Sequence, residues 1–130
     1  MLEGLRSLLD SQPDMQVVVE AAAQLGGFLL EMTFNKEGEE PRRAVLVQIQ
    51  QAKFYKPAEP GDQIALVATL GPAMETAAQV SVEATIGGER SMRASITFML
   101  KSISSERVHE QRRSLYRLWT RSFDPPIPIR

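Results

Sequence analysis
From Met15 to Leu30 the chain is apolar or small at almost every position, with Val17, Val18, Val19, Ala21, Ala22, Ala23, Leu25, Phe28, Leu29 and Leu30 interrupted by Glu20 and Gln24. Such a run predicts a helix buried on most of its circumference. Ser11-Gln12-Pro13-Asp14 reads as its start, with a capping hydroxyl, a proline in the first turn and an acid near the positive dipole end. Residues 2–10 read as a short amphipathic helix ahead of it. The Gly26-Gly27 pair lowers helix propensity by about 1 kcal/mol per glycine, and close approach of a second element is the expected reason.

Beyond the polar turn Asn35 to Pro41 the pattern changes to alternation, the mark of half-buried strands. Val45, Val47 and Ile49 share one face of the first; Ile64, Leu66, Ala68 and Leu70 share a face of the second, and Val80, Val82, Ala84 and Ile86 a face of the third. Met92, Ala94, Ile96, Phe98 and Leu100 alternate in the fourth, and Gly87-Gly88 supplies a tight turn that makes the last two strands antiparallel neighbours. Ser104 or Ser105 ahead of Glu106 starts a closing helix carrying Val108, Leu115, Leu118, Trp119 and Phe123, which Pro125, Pro126 and Pro128 bring to an end. Leu115 and Trp119 are expected to pack on the sheet.

The pattern gives one domain, residues 1–130. It comprises an N-terminal segment 1–13, a central helix 14–34, antiparallel strands over 42–101, and a C-terminal helix with a proline-rich tail from 104 to 122 and beyond. A long apolar helix against an antiparallel sheet with one apolar face is an α+β layer arrangement.

Composition narrows the chemistry. The 15 basic and 16 acidic residues nearly cancel, so nothing draws the whole molecule to nucleic acid or to an anionic membrane. The chain has no cysteine, which removes a disulfide framework, a thiolate nucleophile and a cysteine zinc site. There is no phosphate-cradling glycine loop, metal-ligand spacing or serine-nucleophile elbow. No signal peptide or membrane-spanning stretch is read from the pattern, so a soluble cytoplasmic protein is expected.

Glu20 is the only charged residue between Asp14 and Glu31. A carboxylate inside an apolar helix is expected to be desolvated, with its pKa raised toward the range of a general acid or base. Alternatively it reaches a groove, or is satisfied by backbone amides or by Gln24 one turn on. Gln24 is either a substrate-orienting amide or an ordinary buried one. The tail from Ser105 to Arg130 holds six arginines, of which Arg112, Arg113 and Arg117 are candidates for docking an acidic carrier or a phosphate, or else form a solvated helix face. Phe54 is expected to fill the core.

Two segments carry a family resemblance. Val17 to Gly27, VVVEAAAQLGG, resembles the central helix of the FabA/FabZ class of 3-hydroxyacyl-carrier-protein dehydratases, where a glutamate precedes small residues and a glutamine. Ala52 to Gln63, AKFYKPAEPGDQ, resembles that family's inter-strand loop, and the strand pair Val80 to Leu100 with its Gly87-Gly88 turn is similar to its last two strands. The resemblance implies a hot-dog fold, a curved antiparallel sheet wrapped round the helix. It also implies a homodimer joined edge to edge, acyl tunnels at the dimer interface and elimination of water from an acyl-carrier-protein or CoA thioester without a cofactor. Glu20 matches the family's helix glutamate, and the Phe54 side borders the tunnel.

The chain departs from the family in two catalytic elements, its histidine and its glycine-rich oxyanion segment. The family's histidine stands in a loop just before the helix, and here Gly4 to Asp14, GLRSLLDSQPD, has none. The family's first strand is missing from the same region. The single histidine, His109, is read as a solvated helix residue. A dehydratase-like enzyme, a thioesterase of the same fold and a non-catalytic acyl-binding subunit therefore all remain open.

Overall fold
The computed structural model describes residues 15–130. The expected helix at 2–10, the Ser11 cap and the Gly4–Asp14 segment lie outside the described residues. Helix α1 (Met15–Phe34) is followed by strands β1 (Arg42–Phe54), β2 (Ile64–Ala73), β3 (Ala77–Ile86) and β4 (Glu89–Ser102), then helix α2 (Glu106–Trp119). The strands form one antiparallel sheet in the order β1-β4-β3-β2, so β1 and β2 are its edges.

The apolar positions of three strands converge on α1. Ile64, Leu66, Val80, Val82, Ala84, Met92, Ala94, Ile96 and Phe98 are all buried, and they meet Val18, Ala21, Ala22, Leu25 and Leu30 of the helix in one core. The register explains the shared face. Val80 stands opposite both Leu70 and Ile96, and Val82 opposite Ala68 and Ala94, so apolar residues line up across the strands as neighbours in the same layer. Gly87 and Gly88 have φ of 58° and 82°, the two left-handed positions a two-residue hairpin needs. Gly61, at φ 91°, makes the turn that Asp62 closes by donating its N–H to the Glu59 carbonyl at 3.0 Å.

The Gly26-Gly27 pair is where the sheet comes closest. A Cβ at Gly26 would lie 3.1 Å from Cε2 of Phe98, and one at Gly27 would lie 3.6 Å from Cε1 of the same ring. The phenyl ring crowds the space that a side chain at Gly26 would fill, which is the packing reason expected for that glycine, whereas at Gly27 a methyl would make ordinary contacts.

Strand β1 departs from simple alternation. Its pairing with β4 slips between Leu46 and Gln48 and again between Gln50 and Lys53, where Gln51 sits at φ 51°. Each slip inserts extra residues and changes which side chains face the helix. Val45 pairs with Met99 on the outer face, whereas Ile49 pairs with Ile96 on the inner one. Val45, Val47 and Ile49 therefore do not share a face as their spacing suggested. The outer face instead carries Gln50, whose Oε1 accepts from Gln79 at 3.1 Å and from Thr97 at 3.4 Å.

Helix α1 is long and apolar enough over Val17–Phe34 to match a membrane span by length and composition, contrary to the reading of the sequence. In this fold it is the core helix, and it carries a completely buried glutamate, Glu31.

Helix α2 begins at Ser105, whose hydroxyl accepts the Val108 N–H at 3.3 Å, with Glu106 in the first turn. It packs on α1 through rings rather than on the sheet. Phe28 meets Tyr116 edge-on at 4.6 Å between centroids and Trp119 at 6.1 Å. Leu115, expected against the sheet, stays 39% exposed.

Candidate functional site
The solvent side of α1 carries Glu20 and Gln24. Both are exposed, and they lie one turn apart on the same face. This corrects the expectation of a desolvated Glu20: the helix has a polar stripe away from the sheet. It also corrects the expectation of a buried Gln24 amide.

Below Gln24 a groove of about 390 Å³ opens between the two helices and β1. Helix α1 contributes Ala23, Gln24 and Gly27, and the strands contribute Ala44, Val45, Leu46 and Phe98. Arg112, Leu115, Tyr116 and Trp119 of α2 form the opposite wall. Its apolar walls with a few polar groups at the margin are those of a small-molecule site. A second depression, on the outer face of the sheet, mixes Val67 with Thr69, Ser81 and Thr85 and is crossed by the Arg90–Glu83 pair at 3.4 Å.

Phe54, expected in the core, is 52% exposed at the end of β1, facing the inner side opposite Met92. Edge strand β1 has no described neighbour on its outer side to cover it. The same edge leaves Leu46 and Val47 exposed at 46% and 53%.

The buried carboxylate of α1 is Glu31, which the sequence pattern treated only as the end of the apolar run. Its Oε1 accepts from Arg43 Nη1 at 2.7 Å, and its Oε2 accepts from the Ala44 N–H at 3.0 Å and from Arg112 Nη1 at 2.9 Å. Arg43 is also fully buried, and its Nε donates to Nδ1 of His109 at 2.9 Å. The other ring nitrogen of His109 lies 2.7 Å from the Ile103 carbonyl. With Nδ1 accepting, Nε2 carries the hydrogen and donates it to that carbonyl. His109 is thus buried and bonded at both ring nitrogens, and not the solvated helix residue expected. Both of its nitrogens are committed to the fold.

Arg112 also donates to the Tyr116 hydroxyl at 3.2 Å. Burial works against its charge, yet Glu31 and Tyr116 hold its pKa above the ordinary guanidinium value. Burial, reinforced by Glu31, pushes the Tyr116 phenol well above its ordinary pKa, with Arg112 opposing. Of the three arginines proposed for docking, Arg112 is therefore turned inward. Arg113 pairs with Glu106 at 2.9 Å and Glu110 at 3.2 Å, and Arg117 reaches Glu110 at 3.5 Å, so the exposed face of α2 is a ladder of ion pairs. Among the described residues no group of three or more His, Asp or Glu side chains converges on a metal position.

Comparison with known proteins agrees with the architecture. Solved structures of similar fold include a hypothetical thioesterase of Streptococcus pneumoniae with coenzyme A, at a TM-score of 0.58 and 15% identity over 70% of this chain and 68% of that one. A hexameric thioesterase of Yersinia pestis is similar at a TM-score of 0.54 and 15% identity, covering 68% of this chain and 77% of that one. At that level of identity they establish the fold, and the chain is a hot-dog protein.

By sequence the chain is similar to 3-hydroxyacyl-[acyl-carrier-protein] dehydratase FabZ of Polynucleobacter asymbioticus, 34% identical over 86 residues, which is 66% of this chain and 56% of that protein. It is 35% identical to FabZ of Koribacter versatilis over 81 residues, 62% of this chain and 51% of that one. Sequence and fold together make it a hot-dog protein that resembles FabZ dehydratases over roughly two thirds of its length. The match spans about half the length of these relatives. No protein-family model matches the chain.

Proposed function
We propose that the protein handles an acyl thioester, with Glu20 as its acid/base residue at the mouth of the α1–β1–α2 groove. The observation that carries this reading is the placing of Glu20 and Gln24 on one exposed face of α1, with the apolar groove opening at Gln24. An acyl tail belongs in the groove, and a thioester carbonyl then lies at the level of the carboxylate and the amide.

The leading activity is reversible elimination of water from a 3-hydroxyacyl thioester, as the names of the curated relatives suggest. The α-proton leaves to a base, the Cα–H electron pair forms the double bond, and the 3-hydroxyl departs with a proton from an acid. One carboxylate can perform both transfers in turn, and His109 takes no part because Arg43 and Ile103 occupy its nitrogens. The second reading is hydrolysis, in which Glu20 activates a water against the thioester carbonyl. It is favoured by the same single carboxylate and fits the solved structures of similar fold, one a hypothetical thioesterase with coenzyme A and another bound to acetyl CoA.

Phe54, Leu46 and Val47, exposed along one sheet edge, support a homodimer joined through β1, which would cover Phe54 beside the partner's groove. The substrate is carried by CoA or a carrier protein in a soluble, cytoplasmic setting, with Arg113 and Arg117 on the outward face of α2 as the residues to meet an acidic carrier.

The test is to follow a short trans-2-enoyl thioester, on CoA and on carrier protein, for hydration and for thiol release, with the protein and its Glu20→Gln variant. Hydration lost in the variant supports the dehydratase reading. Thiol release lost in the variant supports the hydrolase. Neither reaction from a folded protein overturns both and leaves acyl binding without catalysis.

A further inference from the structure
The residues that open the groove and those that limit it come from different elements. Ala23 and Gly27 of α1 and Ala44 of β1 contribute almost no side chain to it. Phe98 is pinned against Gly26 and Gly27, so it has little freedom to enlarge the space. Besides Val45 and Leu46 of β1, the adjustable apolar bulk belongs to α2, in Leu115 and Trp119.

Helix α2 is fastened rather than hinged. Arg112 binds the buried Glu31 at 2.9 Å, Arg43 binds His109 at 2.9 Å, and the Tyr116 and Trp119 rings stack edgewise with Phe28. A wall held by buried, charge-assisted hydrogen bonds and ring packing keeps its distance from α1. Running from the level of Glu20 to that of Gly27 covers roughly 10 Å of helix at 1.5 Å per residue. The groove volume of about 390 Å³ lies toward the lower end of the range for ligand sites.

We infer that α2 is a fixed ruler for acyl-chain length, with Leu115 and Trp119 as the residues that set the limit. This rests on the acyl-thioester reading above. The accepted substrates are short- to medium-chain thioesters, and a chain too long for the groove meets the α2 wall. Leu115 is the sharper probe. It is partly exposed, so its truncation enlarges the groove without emptying a core position.

The experiment measures binding of a series of saturated acyl-CoA thioesters, from short to long chain, to the full chain and to Leu115→Ala, Leu115→Trp and Trp119→Ala by calorimetry. Circular dichroism confirms that each variant is folded. In the unaltered protein affinity should rise roughly fourfold per methylene until the groove is full, then stop rising. Leu115→Ala should move that break to longer chains, Trp119→Ala should do the same, and Leu115→Trp should move it to shorter ones. A break unmoved in folded Leu115→Ala and Leu115→Trp, in a protein that binds the series, overturns the ruler alone. If the unaltered protein binds no member of the series, the acyl-thioester reading falls and the ruler with it.

Discussion
Glu31 and Arg43 meet at 2.7 Å with neither side chain exposed to solvent, the one from the last turns of α1 and the other from the second residue of β1. The carboxylate has two further partners, Arg112 and the Ala44 N–H, so α1, β1 and α2 are tied at one point.

Breaking such a pair by removing one member strands the other. Glu31→Gln should destabilise the fold by about 3–5 kcal/mol, because Arg43 remains buried without a counter-charge. Glu31→Leu combined with Arg43→Met should be less damaging than Glu31→Gln alone, since the fully buried Arg43 charge leaves with its partner and only the partly exposed Arg112 loses a counter-charge. Urea denaturation of the two variants checks the order. A double variant weaker than Glu31→Gln contradicts it.

The two glycines of α1 should respond differently to alanine. At Gly27 the new methyl meets ordinary contacts at 3.6 and 3.7 Å, so the gain in helix propensity, about 1 kcal/mol, should appear as added stability. At Gly26 the methyl would press on Phe98 at 3.1 Å, and that crowding should offset or reverse the gain. Thermal midpoints rank the pair, with Gly27→Ala above Gly26→Ala.

Tyr116 predicts an alkaline limit. Its phenol is held protonated in the folded protein by burial and by Glu31, whereas in the unfolded chain it ionises near the ordinary value of about 10. The folded state therefore holds this proton more tightly, and the stability it contributes is complete below about pH 10 and declines as pH rises above that. Tyr116→Phe should lose the Arg112 hydrogen bond, of order 1 kcal/mol, at neutral pH but show a shallower decline above pH 10. Denaturation at a series of alkaline pH values reads both effects. An equal slope in the two proteins would remove Tyr116 as the cause.

Val47, 53% exposed where the first slip in β1 falls, tests the proposed dimer. Val47→Lys should leave the monomer fold intact, because the side chain is not part of the core, and convert a dimer to monomer at micromolar concentration. Sedimentation equilibrium distinguishes the two. An unchanged dimer places the interface away from this edge.

Much of this architecture can be read from local signals. The apolar run of α1, the period-two strands β2 to β4, the Gly87-Gly88 hairpin and the Ser105 cap each depend on residues close in sequence, and each is present as expected. The parity of β1 could not be read, since VLVQIQQ alternates in sequence while the slips after Leu46 and Gln50 turn the chain over against β4. The polar cluster could not be read either. Glu31 bonds to residues 12 and 81 positions away, and Arg43 to one 66 positions away. The available hint was a glutamate closing a buried helix shortly before the Arg42-Arg43 pair that opens a strand. Glu20 and Gln24 were correctly placed on one face, but solitude in an apolar run marked a solvent-facing stripe there and not a buried charge.

The bonds of Arg112 to Glu31 and of Arg43 to the Arg130 carbonyl join positions 81 and 87 residues apart. Contacts that distant are expected to form after the hairpins between them have paired, which would put α2 among the last pieces of the chain to dock. Interactions absent from the transition state act on the unfolding rate. Loosening this corner should therefore leave the speed of folding nearly unchanged and shorten the lifetime of the finished molecule.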